Sequence, residues 1–247
     1  MRVKKLHSWN VSPAEAWKIQ EKLRARWEGV DRFPEIKTVA GLDAAFVLTA
    51  SQALKKRSPR NAMRDANRAI GGVVVFRFPE MTELERASSV VPLRFPYIPG
   101  LLSFREIPAL LAALKKLERL PDLLFLDGQG YAHPRRMGLA SHLGIVLDRP
   151  TIGCAKSILI GLHGRLARRE GSWSPLMDEK ADGETIGAAV RTREGVKPVY
   201  VSQGHRVSLG TAIRLTLAVS DGVRIPRPTR EADRLVRETK RRLVRNV

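Results

Sequence analysis

The chain has 247 residues, 43% of them hydrophobic, with 44 Lys and Arg against 25 Asp and Glu and a formal net charge of +19. That length fills one apolar core and predicts a single domain over residues 1–247, while the charge creates a field that attracts polyanions, either nucleic acid or an anionic membrane surface. No apolar run approaches the roughly 18 to 20 residues that cross a bilayer, and the opening MRVKKLHSWN lacks the apolar stretch of a signal peptide. A soluble, cytoplasmic protein without a membrane partner is therefore expected, and the single Cys154, set among small residues, reads as a buried filler thiol that excludes an intrachain disulfide.

In chain order, Ser12-Pro13-Ala14-Glu15 has the cap, first-turn proline and third-position glutamate of a helix start, and an amphipathic run continues it to Trp27. Lys37 to Phe46 and Ile70 to Phe78 read as apolar strands, with a third from Leu84 to Leu93. Between the first two lies a basic insert, residues 48–69, carrying Lys55, Lys56, Arg57, Arg60, Arg64 and Arg68 with almost no acid. It reads either as a solvated loop or helix face or as an arm that contacts phosphates. Ser103 to Leu117 is helical by the spacing of Ile107, Leu110, Leu111 and Leu114, and Asp122 to Asp127 is a buried strand that stops at Gly128.

A small-residue helix follows at Gly138 to Leu147, then a strand at Pro150 to Ala155, a weakly patterned region from Gly164 to Glu194, and a strand at Pro198 to Ser202. Two helices close the chain, Ser208 to Val219 and a basic one from Thr229 to Arg245, in which Ala232, Leu235, Val236 and Leu243 keep helical spacing and predict a docked face with a wet basic side. Strands that come first as a meander and then alternate with helices predict an α/β layered fold with a mixed sheet.

Burying a carboxylate without a partner costs several kcal/mol, so the chemistry is sought among acids that an apolar strand delivers to its end. Asp43 and Asp127 fit, each following apolar residues and preceding small ones; a cap or turn role is the alternative for both. Ser103-Phe104-Arg105-Glu106 matches a capping box, and by spacing alone Glu106 is a cap. Two or three carboxylates around a hard cation are the usual way to hold Mg²⁺, which takes its remaining coordination from water and substrate phosphate. Such a site in a basic protein points to phosphodiester chemistry, and no Walker loop, HExxH or Cys/His cluster competes with it.

Four segments then become recognisable: VAGLDAAF at Val39 to Phe46, PYIPGLLSFREIPALL at Pro96 to Leu111, the run from Pro121 to Ser157, and VSQGHRVSLGTAIRL at Val201 to Leu215. In that order they resemble the endonuclease V family over about residues 10 to 240. The resemblance implies an RNase H-like fold, a mixed sheet flanked by helices, and hydrolysis of the second phosphodiester bond 3′ to deoxyinosine. It implies Mg²⁺, with Mn²⁺ able to substitute, and DNA as partner; some relatives prefer inosine in RNA. It makes Asp43, Glu106 and Asp127 the metal-binding carboxylates, which displaces the cap role of Glu106 unless one oxygen does each.

By the same resemblance, Pro96, Tyr97, Ile98 and Pro99 form a stiff wedge that separates the altered base from its partner, and Leu102, Gly128, Gln129 and Gly130 line the base pocket. Lys156 lies near the scissile phosphate, His205 helps to position water, and His133, Arg135 and Arg136 face phosphates or else make structural bonds. A monomer is the default. A related RNase H-like nuclease with another substrate and a non-catalytic nucleic-acid-binding protein are the competing classes, the latter predicting salt-sensitive binding without product.

Overall fold

In the computed structural model, which describes residues 3–47 and 66–245, the first helix is fixed by its own N-terminus. Ser12 Oγ accepts the Glu15 N–H, the Glu15 carboxylate takes the Ser12 N–H at 2.7 Å, and α1 runs Pro13–Arg24 with proline at its start. The apolar runs that follow become β1 (Thr38–Val47) and β2 (Arg68–Arg77), and β3 (Glu83–Pro92) completes an antiparallel meander. Of the basic insert, residues 48–65 lie outside the described residues, and Arg68 opens β2.

The rest of the chain alternates: α2 (Leu102–Leu114), β4 (Leu123–Leu126), α3 (Leu139–Leu147), β5 (Thr151–Ala155), β6 (Leu162–His163), β7 (Trp173–Asp178), β8 (Glu184–Val190), β9 (Val199–His205), α4 (Leu209–Ala218) and α5 (Arg227–Arg245). The described strands form one mixed sheet in the order β3-β2-β1-β4-β5-β9-β8-β7-β6, parallel only across β1-β4-β5. The weakly patterned region from Gly164 to Glu194 thus holds β7 and β8. β7 alternates, with Trp173 and Pro175 out and Ser174 and Leu176 in, whereas β8 is buried throughout from Ile186 to Val190; the Ser, Pro, Gly and Ala among them weaken the apolar signal.

Residues alternate between two cores because successive strand side chains point to opposite faces. Leu42, Val73, Leu124 and Leu126 pack under α2 and α3 against Ile107, Leu110 and Leu143. Val39, Val74, Phe125 and Ile152 pack on the other face against Ile213, Leu215 and Leu235 of α4 and α5. Each fully buried side chain of this size stabilises the fold by about 1.5–3 kcal/mol. The helices reach the sheet because it is notched by glycine: a Cβ at Gly41 would lie 1.8 Å from the Pro228 carbonyl oxygen of α5, and one at Gly71 would lie 2.2 Å from the Ala109 carbonyl oxygen of α2.

Gly41→Ala is accordingly expected to lower unfolding free energy by about 2 kcal/mol or more in denaturant titration, because backbone must move to admit the methyl. Gly210→Ala in α4, where nothing lies within 4 Å of the added carbon, is expected to be neutral or stabilising.

Candidate active site

The parallel register Val39↔Leu123 to Leu42↔Leu126 brings Asp43 and Asp127, each one residue further on, side by side, and the Asp127 N–H donates to the Leu42 carbonyl at 3.2 Å. β4 ends there while β1 continues to Val47 against β2, so Asp43 stands at the step where β1 loses its parallel neighbour. Glu106 comes in from α2. It is not a cap: α2 starts at Leu102 behind Leu101, no side chain caps it, and Ser103, within the helix, bonds His142 Nδ1 at 3.0 Å instead. Leu101 is fully buried, and this anchoring starts the helix earlier than the Ser103 pattern suggests.

Glu106 is 7% exposed, and burial, followed by the charges of Asp43 and Asp127, pushes its carboxyl well above the ordinary range. Asp43 is partly exposed but surrounded mostly by protein; desolvation first and then the Asp127 charge raise it to about 7. Arg105, beside Glu106 on α2, offsets part of its shift, and a lysine answers the two aspartates. Lys156, just past β5, is bonded to Asp127 Oδ2, and although burial alone would push its ammonium down, Asp127, Asp43 and Asp233 carry it above its usual value.

Asp233, on α5, is the residue that the sequence did not disclose. Its charge bears on both Asp43 and Lys156, and it is paired with Arg237 at 3.0 Å. The amphipathic pattern of α5 assigns its polar residues to solvent, and nothing local separates Asp233 from Glu231 on the other side of the buried Ala232 or from Glu238 further along. Among the described residues no three His, Cys, Asp or Glu side chains stand close enough together to hold a metal ion as they are.

Asp127 and Lys156 lie at one wall of a cavity of about 410 Å³ whose other walls are Tyr97 to Gly100, Leu102, Gly128 and Gln129. The N-terminus of α2 has no side-chain cap, and Gln129, whose Nε2 donates to the Ser157 carbonyl at 2.9 Å, keeps its Oε1 buried and without a partner. Gly130 is turned away; its N–H donates to Ser202 Oγ, and a Cβ there would meet the Gln203 carbonyl of β9.

Pro96 and Pro99 are exposed and Tyr97 and Ile98 partly so, between the buried Phe95 and Leu101. His133, Arg135 and Arg136 all serve the protein. His133 Nε2 donates to the Gly100 carbonyl and its Nδ1 accepts the Arg135 N–H; burial, then the Arg135 charge, lowers it to about 4. Arg135 also donates to Gly100, and Arg136, nearly buried, bridges Asp178 at 2.7 Å and Glu184 at 2.6 Å.

His205 is not part of the cluster. It pairs with Thr151 at the start of β5, whereas Lys156 follows the end of that strand, and its ring accepts the Glu28 N–H at 3.3 Å. Sequence spacing could not show this, because β9 runs antiparallel to β5 and carries its last residue to the far end of the sheet.

Desolvated carboxylates crowded beside a lysine, where two central strands of a mixed sheet part in a chain of charge +19, define a nuclease. The comparisons agree: the endonuclease V family model matches residues 20–234, and the chain belongs to that family. Endonuclease V of Roseiflexus castenholzii is 47% identical over 229 residues, covering 93% of this chain and 94% of that one. Solved structures from Streptomyces avermitilis (38% identity, TM-score 0.83, 96% of each chain) and Bacillus subtilis (28%, TM-score 0.88, all of each chain) share the fold. So does Ciona intestinalis endonuclease V in complex with a 24mer DNA containing an inosine followed by a ribo-adenosine (28%, TM-score 0.75, 93% of this chain and 98% of that one).

His205→Gln is expected to keep nuclease activity within about threefold of the parent while lowering the melting temperature, since a buried structural bond is lost without loss at the carboxylate cluster. A drop of about a hundredfold with unchanged stability would restore it to the reaction.

Proposed function

We propose that the chain nicks DNA at deoxyinosine, hydrolysing the second phosphodiester bond on its 3′ side to leave a 3′-hydroxyl and a 5′-phosphate. The observation that carries this reading is the shared wall: the crowded acid Asp127 and its lysine line the same cavity as the Tyr97 loop, so one ligand can touch both. Hypoxanthine offers a carbonyl acceptor at position 6 and an N–H donor at position 1; backbone N–H groups at the α2 start would meet the first, and Gln129, a residue of the cavity wall, would turn its buried, unpartnered Oε1 to the second. Adenine presents the reverse pair at those positions. The Ciona relative, bound to inosine-containing DNA, supports the same substrate.

Tyr97 on its two-proline loop would enter the duplex as the base leaves the stack, which costs a few kcal/mol. Asp43, Glu106 and Asp127 would hold Mg²⁺, or Mn²⁺ in its place; the donor set is all carboxylate oxygen, and its mutual repulsion is what a divalent cation relieves. When bound, such an ion lowers the pKa of an attacking water and screens charge on the scissile phosphate. Lys156, freed from Asp127, would place its ammonium on a phosphate oxygen, and Asp233 would keep it oriented.

An end-labelled duplex with one deoxyinosine, against the same duplex with adenosine, in Mg²⁺ and in EDTA, tests this directly. A cut one nucleotide beyond the lesion is expected only with deoxyinosine and metal. Asp43→Ala and Asp127→Ala are each expected to lose about 10³-fold or more in cleavage while DNA binding in a gel-shift assay survives. Cleavage retained by both variants, or no cut of the deoxyinosine duplex, would overturn the reading.

A further inference from the structure

Gly100 ends the Tyr97 loop in a left-handed turn, φ +78, and its carbonyl oxygen is held from three separate directions. His133 Nε2 donates to it at 3.0 Å, Arg135 Nη2 at 2.7 Å and Gln20 Nε2 at 3.1 Å. A carbonyl oxygen has two lone pairs, so three donors exceed what satisfying it requires, and their shared effect is to fix its position. Gln20 comes from α1 and is 1% exposed. The same amide donates to the Met137 carbonyl at 3.1 Å and approaches Ser103 Oγ at 3.5 Å, while its Oε1 accepts from Arg135 Nε at 2.6 Å. Arg135 lies over the ring of Trp17, one turn earlier in α1, at 4.8 Å. Gln20, Arg135 and Gly100 thus close a ring in which every pair is bonded.

We propose that α1 is a brace for the strand-separating loop and that Gln20 is its positioning residue, acting through the Gly100 carbonyl and not on the reacting atoms. This rests on the wedge role given to Tyr97 above. Driving an aromatic ring into stacked bases loads the loop that carries it, and a loop that yields loses the work of separation. Helix α1 is capped at Ser12 and buries Ala16, Gln20 and Leu23, which gives the brace a firm seat. The consequence is specific to paired DNA, since a single strand needs no separation.

The test compares one deoxyinosine strand, alone and in duplex, cut by the parent, by Gln20→Met, which keeps length but makes no hydrogen bond, and by Gln20→Glu, which keeps the acceptor for Arg135 and loses the donor to Gly100. For both variants, kcat/KM on the duplex is expected to fall about tenfold further than on the single strand. The fluorescence rise of a 2-aminopurine beside the lesion, at saturating protein and in EDTA, is expected to shrink for the same variants. Equal losses on both substrates with an unchanged fluorescence rise would make Gln20 merely structural and overturn the inference. If Gln20→Met cuts neither substrate, the duplex to single-strand ratio of Gln20→Glu decides in the same way. A parent protein that cuts neither substrate defeats the functional reading itself, which is a different outcome.

Discussion

The chemistry of this molecule depends on two aspartates that the parallel register of β1 and β4 sets side by side. Their proximity is not a local preference of either segment, since two carboxylates short of water repel each other and each would be more comfortable apart. What holds them is the pairing of Val39 to Leu42 with Leu123 to Leu126, buried on both faces. A slip of one residue would turn Asp43 toward the opposite face and force each strand's side chains into the wrong one of the two cores, so the apolar cores specify the register and the register specifies the site. Glu106 and Asp233 arrive on helices that press on opposite faces of the sheet, and the glycine notches at Gly71 and Gly41 set how near those helices come. Packing therefore concentrates negative charge in a protein that is otherwise strongly positive.

How much of this is legible in sequence follows from what is local. Asp43 and Asp127 could be found because an apolar strand can carry an acid only at its end or at an opening, and both sit after such runs. The capping box that starts α1 could be read because its partners are three residues apart. Glu106 shows the limit: its spacing from Ser103 copies a cap, but the burial of Leu101 decides where α2 begins. Asp233 and His205 show the other limit. Each is placed by strand order and helix docking, so one of the three acids of a basic helix is drawn to the site while a histidine in a recognisable motif is carried away from it.

The positive charge is also sorted by structure. Along the first part of α5, Arg230, Arg234 and Arg237 are matched by Asp221, Glu238 and Asp233. Lys240, Arg241, Arg242 and Arg245, further along, have no acidic partner among the described residues. Paired surface ions contribute little to stability, so the matched half is neutral surface and the unmatched half is where the field of the +19 charge is strongest on this helix. Such a field raises the encounter rate with a polyanion without reading its sequence. Recognition has to come from elsewhere, and the cavity beside Asp127 is the place where uncharged, directional groups converge.

Helix α2 joins the two tasks. Its uncapped first turn, at Leu102, forms part of the cavity, and Glu106 lies one turn further on, about 6 Å along the axis. A helix packed at Ile107, Leu110 and Leu114 does not stretch, so the separation between its first turn and Glu106 is constant. On the proposed function this accounts for a cut at a set offset from the altered base instead of at the base itself: the ruler is built into the scaffold and does not depend on which nucleotides lie between. The loop before α2 extends the same rigid unit, since Gly100, whose carbonyl is tied to α1 and to the 133–137 turn, immediately precedes Leu101. On that proposal, separation of strands, capture of the base and placement of the phosphate would be three consequences of one stretch of chain from Pro96 to Glu106, held from behind by α1 and from below by the sheet.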